Sequence, residues 1–284
     1  MGERGVNGNV SSGARPLMHV LPVADPHDPR VSAYAYLKDA VLLREHGFFI
    51  AEGRLVVERV VSDPRCAVAS LLVNAASLEA LRPLLEARLP DATVFLCETS
   101  VFEALTGFNL HRGCLALVHR PPAITWRDAV GVSNLVVVLE NVTNADNVGS
   151  VFRNAAAFGA GAVLLSPTCC DPLYRKAIRT SMGAALRVPF ARVEPWPNTL
   201  GELRAAGFVI VALSPRQPSL TLDGFASEQH AARVALLLGT EGDGLTRASE
   251  SLADVRVRIP TSVNVDSLNL AVASGIALSR LTSM

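Results

Sequence analysis

The chain has 284 residues, half of them hydrophobic, which accommodates two domains with well-buried cores. Its 26 basic and 26 acidic side chains cancel, which excludes binding to nucleic acid through bulk charge alone but leaves room for a local basic face. No run of about 18 uncharged apolar residues occurs, so no membrane span is expected.

Residues 1–30 form the expected N-terminal arm. Met1 to Arg15 is rich in Gly, Asn and Ser and lacks the apolar core of a secretion signal, which points to the cytoplasm. Residues 16–30, rich in Pro, Asp and His, read as irregular. Helical spacing then covers Tyr34 to His46. Phe48 to Gly53 reads as a strand into a turn, followed by a helix from Leu55 to Ser62. A strand is expected at Val68–Val73, a helix from Ser77, its expected N-cap, to Arg88, and a strand at Val94–Cys97. A short helix at Ser100–Leu105 and a strand at Cys114–His119 close an α/β unit over 31–120. Pro121 and Pro122 open a linker, 121–133, with a helical turn near Trp126.

Strands and helices alternate again over 134–284. The expected strands are Leu135–Glu140, Ala162–Ser166, Phe208–Leu213, Ala235–Gly239 and Val255–Ile259. The expected helices are Asn147–Phe158, Pro172–Ala185, Thr199–Ala206 and Ser267–Leu281. Uniformly apolar strands such as Leu-Val-Val-Val-Leu suit a parallel sheet covered on both faces. The five cysteines are odd in number and contain no Cys-x-x-Cys pair, so reduced thiols are expected and no metal site.

Three polar clusters interrupt this apolar pattern where predicted strands end, the place where open α/β sheets bind ligands. The first contains Asn147, Gly149 and Arg153. Asn147 is a candidate helix cap, Gly149 permits close approach of another segment, and a lone arginine on an apolar helix is usually ion-paired. The second is Gly239-Thr240-Glu241-Gly242-Asp243-Gly244, a tight turn or a loop that passes close to a ligand. The third joins Ile259-Pro260 to Ser267-Leu268-Asn269, with Asp266 or Ser267 as a candidate cap. Between them, Arg175, Lys176 and Arg179 lie close on one helix and suit either phosphate contact or a solvated face. Gly159-Ala160-Gly161 follows a helix, not a strand, so it is a poor dinucleotide fingerprint. His111, His119 and His230 lack a matching nucleophile motif.

Taken in order and spacing, the three clusters resemble the SpoU (TrmH) family of RNA ribose 2′-O-methyltransferases, in the SPOUT superfamily. Motif one matches at Asn147, Gly149, Arg153 and Ala155. Motif two matches at Leu238 to Gly242 with Gly244, and motif three at Ile259-Pro260 and Ser267-Leu268-Asn269. The third motif here continues Leu-Ala where the family usually has Val-Ser, losing a hydroxyl at Ala271. The segment Phe49 to Gly53 and His111-Arg112-Gly113 resemble the L30e-like RNA-binding domain of many members.

The resemblance implies an α/β fold with a C-terminal SPOUT-type parallel sheet tied in a trefoil knot, preceded by a smaller L30e-like domain. It implies S-adenosylmethionine as cofactor, held at Gly239, Ile259, Leu268 and Gly244, and a homodimer. It assigns catalysis to Arg153, with Asn147 and Glu241 orienting it or the loop, and Ser267 and Asn269 at the ribose or phosphate. Arg175, Lys176, Arg179 and Arg112 become candidate RNA contacts. The implied target is 23S ribosomal RNA, ahead of transfer RNA. A non-catalytic RNA-binding or ribosome-assembly protein of the same fold is the alternative. An unrelated α/β hydrolase lacks the P-loop or nucleophile elbow it would need.

Overall fold

The computed structural model describes residues 18–35, 39–106, 113–228, 233–262 and 267–282. The first unit contains strand β1 (His19–Val23), a 3-10 turn (Pro29–Tyr34), helix α1 (Asp39–Glu45), β2 (Phe48–Glu52), α2 (Arg54–Ser62) and β3 (Val68–Val73). It continues through α3 (Ala75–Arg88), β4 (Thr93–Cys97), α4 (Thr99–Thr106) and β5 (Cys114–His119). Its five strands lie in the order β1-β4-β3-β5-β2, with β5 antiparallel to both neighbours.

The second unit opens with α5 (Trp126–Val130), β6 (Leu135–Leu139), α6 (Ala145–Ala157), β7 (Ala162–Leu165) and α7 (Arg175–Thr180). After a 3-10 turn come β8 (Phe190–Arg192), α8 (Thr199–Ala205), β9 (Val209–Leu213), β10 (Leu220–Thr221) and α9 (Leu222–Glu228). Then follow β11 (Val234–Leu238), α10 (Arg247–Ser251), β12 (Val255–Arg258) and α11 (Leu270–Thr282). Seven strands pair in parallel throughout, in the order β10-β12-β9-β11-β6-β7-β8.

The period-two alternation of a strand explains the apolar runs. Val137, Leu139, Val163, Leu165, Leu236 and Leu238 point to the core shared with α6 and α11. Their neighbours Val136, Val138, Leu164, Ala235 and Leu237 point to the opposite core, with Trp126 of α5 and Leu200 and Leu203 of α8. Both faces are covered, so no position on these strands is left for a polar residue. Trp126 is therefore part of the second unit's packing.

Local pattern misplaces several elements. Segment 16–30 contains a strand, because β1 finds a partner in β4 that no local signal reveals. Pro22 is tolerated there because β1 is an edge strand. The helix expected over 34–46 is split: Tyr34 closes the 3-10 turn, its hydroxyl hydrogen-bonded to Ser70 at 2.7 Å, and α1 begins at Asp39. Asn74, not Ser77, caps α3, its side chain accepting from the Ser77 N–H at 2.9 Å. The helix expected over 172–185 shrinks to α7, because Met182 and Gly183 adopt left-handed φ of 53° and 76°. Strands β8 and β10 and helices α9 and α10 were not anticipated. The five cysteines are free thiols, four of them buried.

Helix α7 joins the two units. Leu173 and Ile178 enter the core of the first unit beside Val56, Val57 and Val60. Ion pairs Arg175–Asp39 (3.2 Å), Arg179–Glu52 (3.2 Å) and Arg120–Asp171 (3.1 Å) surround them. Burial pushes the Asp39 carboxyl above the ordinary range, against the pull of Arg175. No described helix is long and apolar enough to cross a membrane.

Candidate active site

The segments that leave the carboxyl ends of β9, β11 and β12 form one cleft with the start of α11. Residues 213–216 and 238–245 make two walls; Ile259, Ser267 and Leu268 make the third. The sequence candidates Gly239, Glu241, Gly244, Ile259, Ser267 and Leu268 all line it. The loop 239–244 is a tight turn, closed by the Gly244 N–H donating to the Thr240 carbonyl at 3.1 Å. Its stem allows no side chain at Gly239, where a Cβ would lie 2.3 Å from the Gly244 carbonyl carbon and 2.5 Å from the Leu245 nitrogen.

Asn269 ties the three clusters together. Its side-chain oxygen accepts from the N–H groups of Ala271 (2.9 Å) and Val272 (3.4 Å), which makes it the cap of α11. Ser267 is not that cap, and Asp266 lies outside the described residues. With the oxygen so committed, the amide nitrogen faces the other way and donates to Glu241 Oε1 and, at 3.4 Å, to Asn147 Oδ1. Glu241 Oε1 also accepts from the Leu270 N–H at 3.2 Å. Asn147 is buried in the first turn of α6; the cap of that helix is Asn144, whose side chain accepts from Asp146 N–H at 2.8 Å. Residues of three distant segments thus share one hydrogen-bonded line, which reaches the cleft through Glu241; Asn147 and Asn269 do not themselves line it.

Two anchors missed in the sequence hold the 239–246 loop. Glu140, the last residue of a predicted strand, is fully buried. Its carboxylate accepts from Thr246 N–H (2.8 Å), Thr246 Oγ1 (2.9 Å), Ser249 Oγ (2.5 Å) and Trp196 Nε1 (2.8 Å). The second anchor is Arg216, which donates to the carbonyls of Asp243 (3.2 Å) and Leu245 (3.1 Å) and pairs with Glu250 at 2.9 Å. Glu140 had one visible signal, a charge ending an all-apolar run. Arg216 and Glu250 had none, since their partners are remote in sequence.

Burial pushes the Glu250 carboxyl up, but hydrogen bonds from Ser214 and Arg216 outweigh it and hold the group below the usual glutamate range. A lowered folded value means that its stabilising contribution is present above the unfolded value, about 4.3, and is lost as pH falls through the folded one. The wild-type melting temperature is therefore expected to fall more steeply than that of Glu250→Gln on acidification below about pH 4. Parallel slopes would show that the pair is not linked to stability.

Arg153 stands apart. It lies six residues after Asn147, about 120° away around α6, and is exposed, with no hydrogen bond or ion pair among the described residues. Asn147 and Glu241 therefore meet through Asn269 and do not touch Arg153. Gly149 behaves as expected of a close approach: a Cβ there would lie 2.6 Å from the Ala177 carbonyl of α7. The basic positions on α7 are all partnered. Arg175 is mostly buried against Asp39, Lys176 pairs with Asp146 at 2.7 Å, and Arg179 with Glu52. Hydrogen bonds from Lys176 and Thr180 hold the Asp146 carboxyl low against a small effect of burial. Arg112 lies outside the described residues.

Comparison with known proteins places the chain in a family. Residues 134–279 match the model of the SpoU rRNA Methylase family. A protein of Mycobacterium tuberculosis described as an uncharacterized tRNA/rRNA methyltransferase is 39% identical over 265 residues, 92% of this chain and 91% of its own. A 23S rRNA (guanosine-2′-O-)-methyltransferase of Acinetobacter baylyi is 31% identical over 182 residues, 62% of this chain and 72% of its own. The AdoMet-bound crystal structure of an rRNA methyltransferase from Sinorhizobium meliloti superposes with a TM-score of 0.78 at 25% identity, covering 93% of this chain and 98% of that one. With the family model spanning most of the second unit and a relative 39% identical over 92% of this chain, the chain belongs to the SpoU rRNA methylase family.

Proposed function

We propose that this chain transfers a methyl group from S-adenosylmethionine to a ribose 2′-hydroxyl of RNA, with 23S ribosomal RNA as target class ahead of transfer RNA. The observation that carries the reading is the line Asn147–Asn269–Glu241, whose Glu241 lines the cleft together with Gly239, Ile259 and Leu268. The names of the Mycobacterium and Acinetobacter relatives support the substrate class.

The cleft suits the cofactor. Leu213, Leu238 and Leu268 offer apolar walls for an adenine, and the glycine-rich loop offers backbone groups for its polar edges. The bound cofactor supplies a methyl group already activated as a sulfonium. The remaining work is to position and polarise the hydroxyl. Arg153 lends its guanidinium to the hydroxyl or the adjacent phosphate. The hydroxyl proton passes to a phosphate oxygen or to water. Ser267, exposed at the cleft, contacts the ribose or phosphate, while Asn269 and Glu241 fix the loop geometry. Lys176 and Arg179, exposed beyond their ion pairs, leave only part of their charge for RNA; Arg175 joins the two units.

We read the first unit, which β1 extends back to His19, as an L30e-like RNA-binding unit, 121–125 as the connection and the second unit, from Trp126 on, as a SPOUT domain. Its trefoil knot would run through the segments that converge on the cleft. We also place a second copy of the chain on α11, where Val272 and Ile276, one turn apart, are 51% and 37% exposed. Val272→Arg is expected to convert a dimer to a monomer in sedimentation velocity; a wild-type monomer would end that placement.

Labelled S-adenosylmethionine incubated with ribosomal RNA tests the activity. Label is expected in nuclease-resistant 2′-O-methylated dinucleotides. Label on a base, or cofactor binding without transfer to any RNA, overturns the reading.

A further inference from the structure

The basic residues of α7 are tied to Asp39, Asp146 and Glu52, so much of their charge is spent within the chain. A chain of zero net charge that holds RNA needs unspent cations elsewhere. They occur at a second concavity, in the seam between the two units. Its floor is apolar: Phe49 from β2, Leu173 beside α7, and Val188 and Phe190 at the edge strand β8. Its rim carries Arg65, Arg120 and Arg187, with Arg192 beneath.

Charge accounting leaves a surplus. Arg65 pairs with Asp63 at 2.6 Å. Arg120 and Arg192 share the single carboxylate of Asp171, at 3.1 and 3.8 Å. Arg187 is exposed and forms no ion pair among the described residues. Four guanidiniums therefore face two carboxylates; Arg192 also donates to the carbonyls of Ser166 (3.3 Å), Pro167 (2.8 Å) and Cys169 (3.0 Å), so the charge open to a ligand is that of Arg65, Arg120 and Arg187. His119 adds an exposed ring to the rim, its centroid 4.6 Å from that of Phe48.

We propose that this seam is a second RNA subsite, taking one unpaired nucleotide with its base on the apolar floor and its phosphate among the rim arginines. An apolar floor under guanidiniums matches the two halves of a nucleotide, and unpaired bases are the ones free to leave a stack. The subsite is not the methylation cleft. Strand β8 lies three strand positions from β11 and five from β12, about 14–24 Å at the usual interstrand spacing. The nucleotide held there is therefore a different one from the methylated ribose. The proposal rests on the RNA-methyltransferase reading and adds how substrate is gripped at a distance.

The test uses the full chain, labelled 12-nucleotide oligouridylate and oligoadenylate, and fluorescence anisotropy over a salt series. Two exposed positions on separate segments serve as variants. Arg187→Ala is expected to weaken binding about fivefold to tenfold and to lower the salt slope by about one. Ala123→Trp, which fills the concavity from the connecting segment, is expected to weaken binding comparably with the salt slope unchanged. Both should bind S-adenosylmethionine as the wild type does and show a raised KM for RNA with kcat retained. Variant affinities within twofold of wild type overturn the subsite, as does absence of wild-type binding to either oligonucleotide. Competition by polyglutamate as effective as that by RNA overturns the assignment to a nucleotide. Failure of wild-type methyl transfer, by contrast, strikes the activity reading itself.

Discussion

Arg153→Ala is expected to lower kcat for methyl transfer by about 10³-fold while leaving cofactor affinity and melting temperature at wild-type values. The two halves of that expectation have separate causes. The side chain is exposed on α6 and holds nothing among the described residues, so its removal resembles an ordinary surface change, within about 0.5 kcal/mol. In the proposed reaction its role lies wholly with the substrate, where the attacking oxygen gains negative character as its proton leaves and a nearby cation or donor stabilises it. Losing one such preorganised group elsewhere costs about 10²–10³ in rate. Arg153→Lys should recover part of the loss, since the charge returns but the two-pronged contact with phosphate does not. A guanidinium does not titrate near neutrality, so a limb of the pH–rate profile between pH 6 and 9 belongs to another group. Retention of more than about a tenth of wild-type kcat by Arg153→Ala would remove it from the reaction.

Legibility in the sequence follows the range of each interaction. Strands β6 and β11 were readable because burial on both faces leaves unbroken apolar runs. Strands β8 and β10, with three and two residues, carry too little pattern to detect, and β1 exists because β4 lies beside it. The cleft was readable because its glycines and polar residues occur in a fixed order. The anchors of its loop were not, since Glu140 and Ser249 are 109 positions apart and Arg216 and Glu250 are 34 apart. The same blindness turned α7 into an open basic face. Arg175 and Arg179 look unspent until Asp39 and Glu52 arrive from the other unit, 136 and 127 positions away. Arg153 was placed correctly on a helix but without its direction, which depends on how α6 rolls against α7 and α11.

Asn269→Asp separates the two duties of the residue that joins the clusters. Aspartate keeps the oxygen that caps α11 through Ala271 and Val272, so the helix start should survive. The amide donor becomes an acceptor facing Glu241 and the Asn147 carbonyl oxygen, and two carboxylates then meet where one hydrogen bond stood. Both groups are exposed, so water screens part of the repulsion, and a cost of about 1–3 kcal/mol is expected at neutral pH. Displacement of the Glu241 loop from the cleft should cost about 10²-fold in kcat/KM, since small misplacements are amplified in rate. The pH dependence gives the signature. A carboxylate pair sharing a site has one folded pKa raised above its unfolded value, so stability is intact below that unfolded value and is lost as pH rises through the raised one. Acidification should therefore narrow the melting-temperature gap between Asn269→Asp and wild type, because a shared proton restores a donor. Asn269→Ser, which keeps a capping oxygen without adding charge, should show no such convergence. A gap for Asn269→Asp that stays constant with pH would mean that Glu241 and residue 269 do not face each other, and the joining of motifs two and three through this side chain would fall.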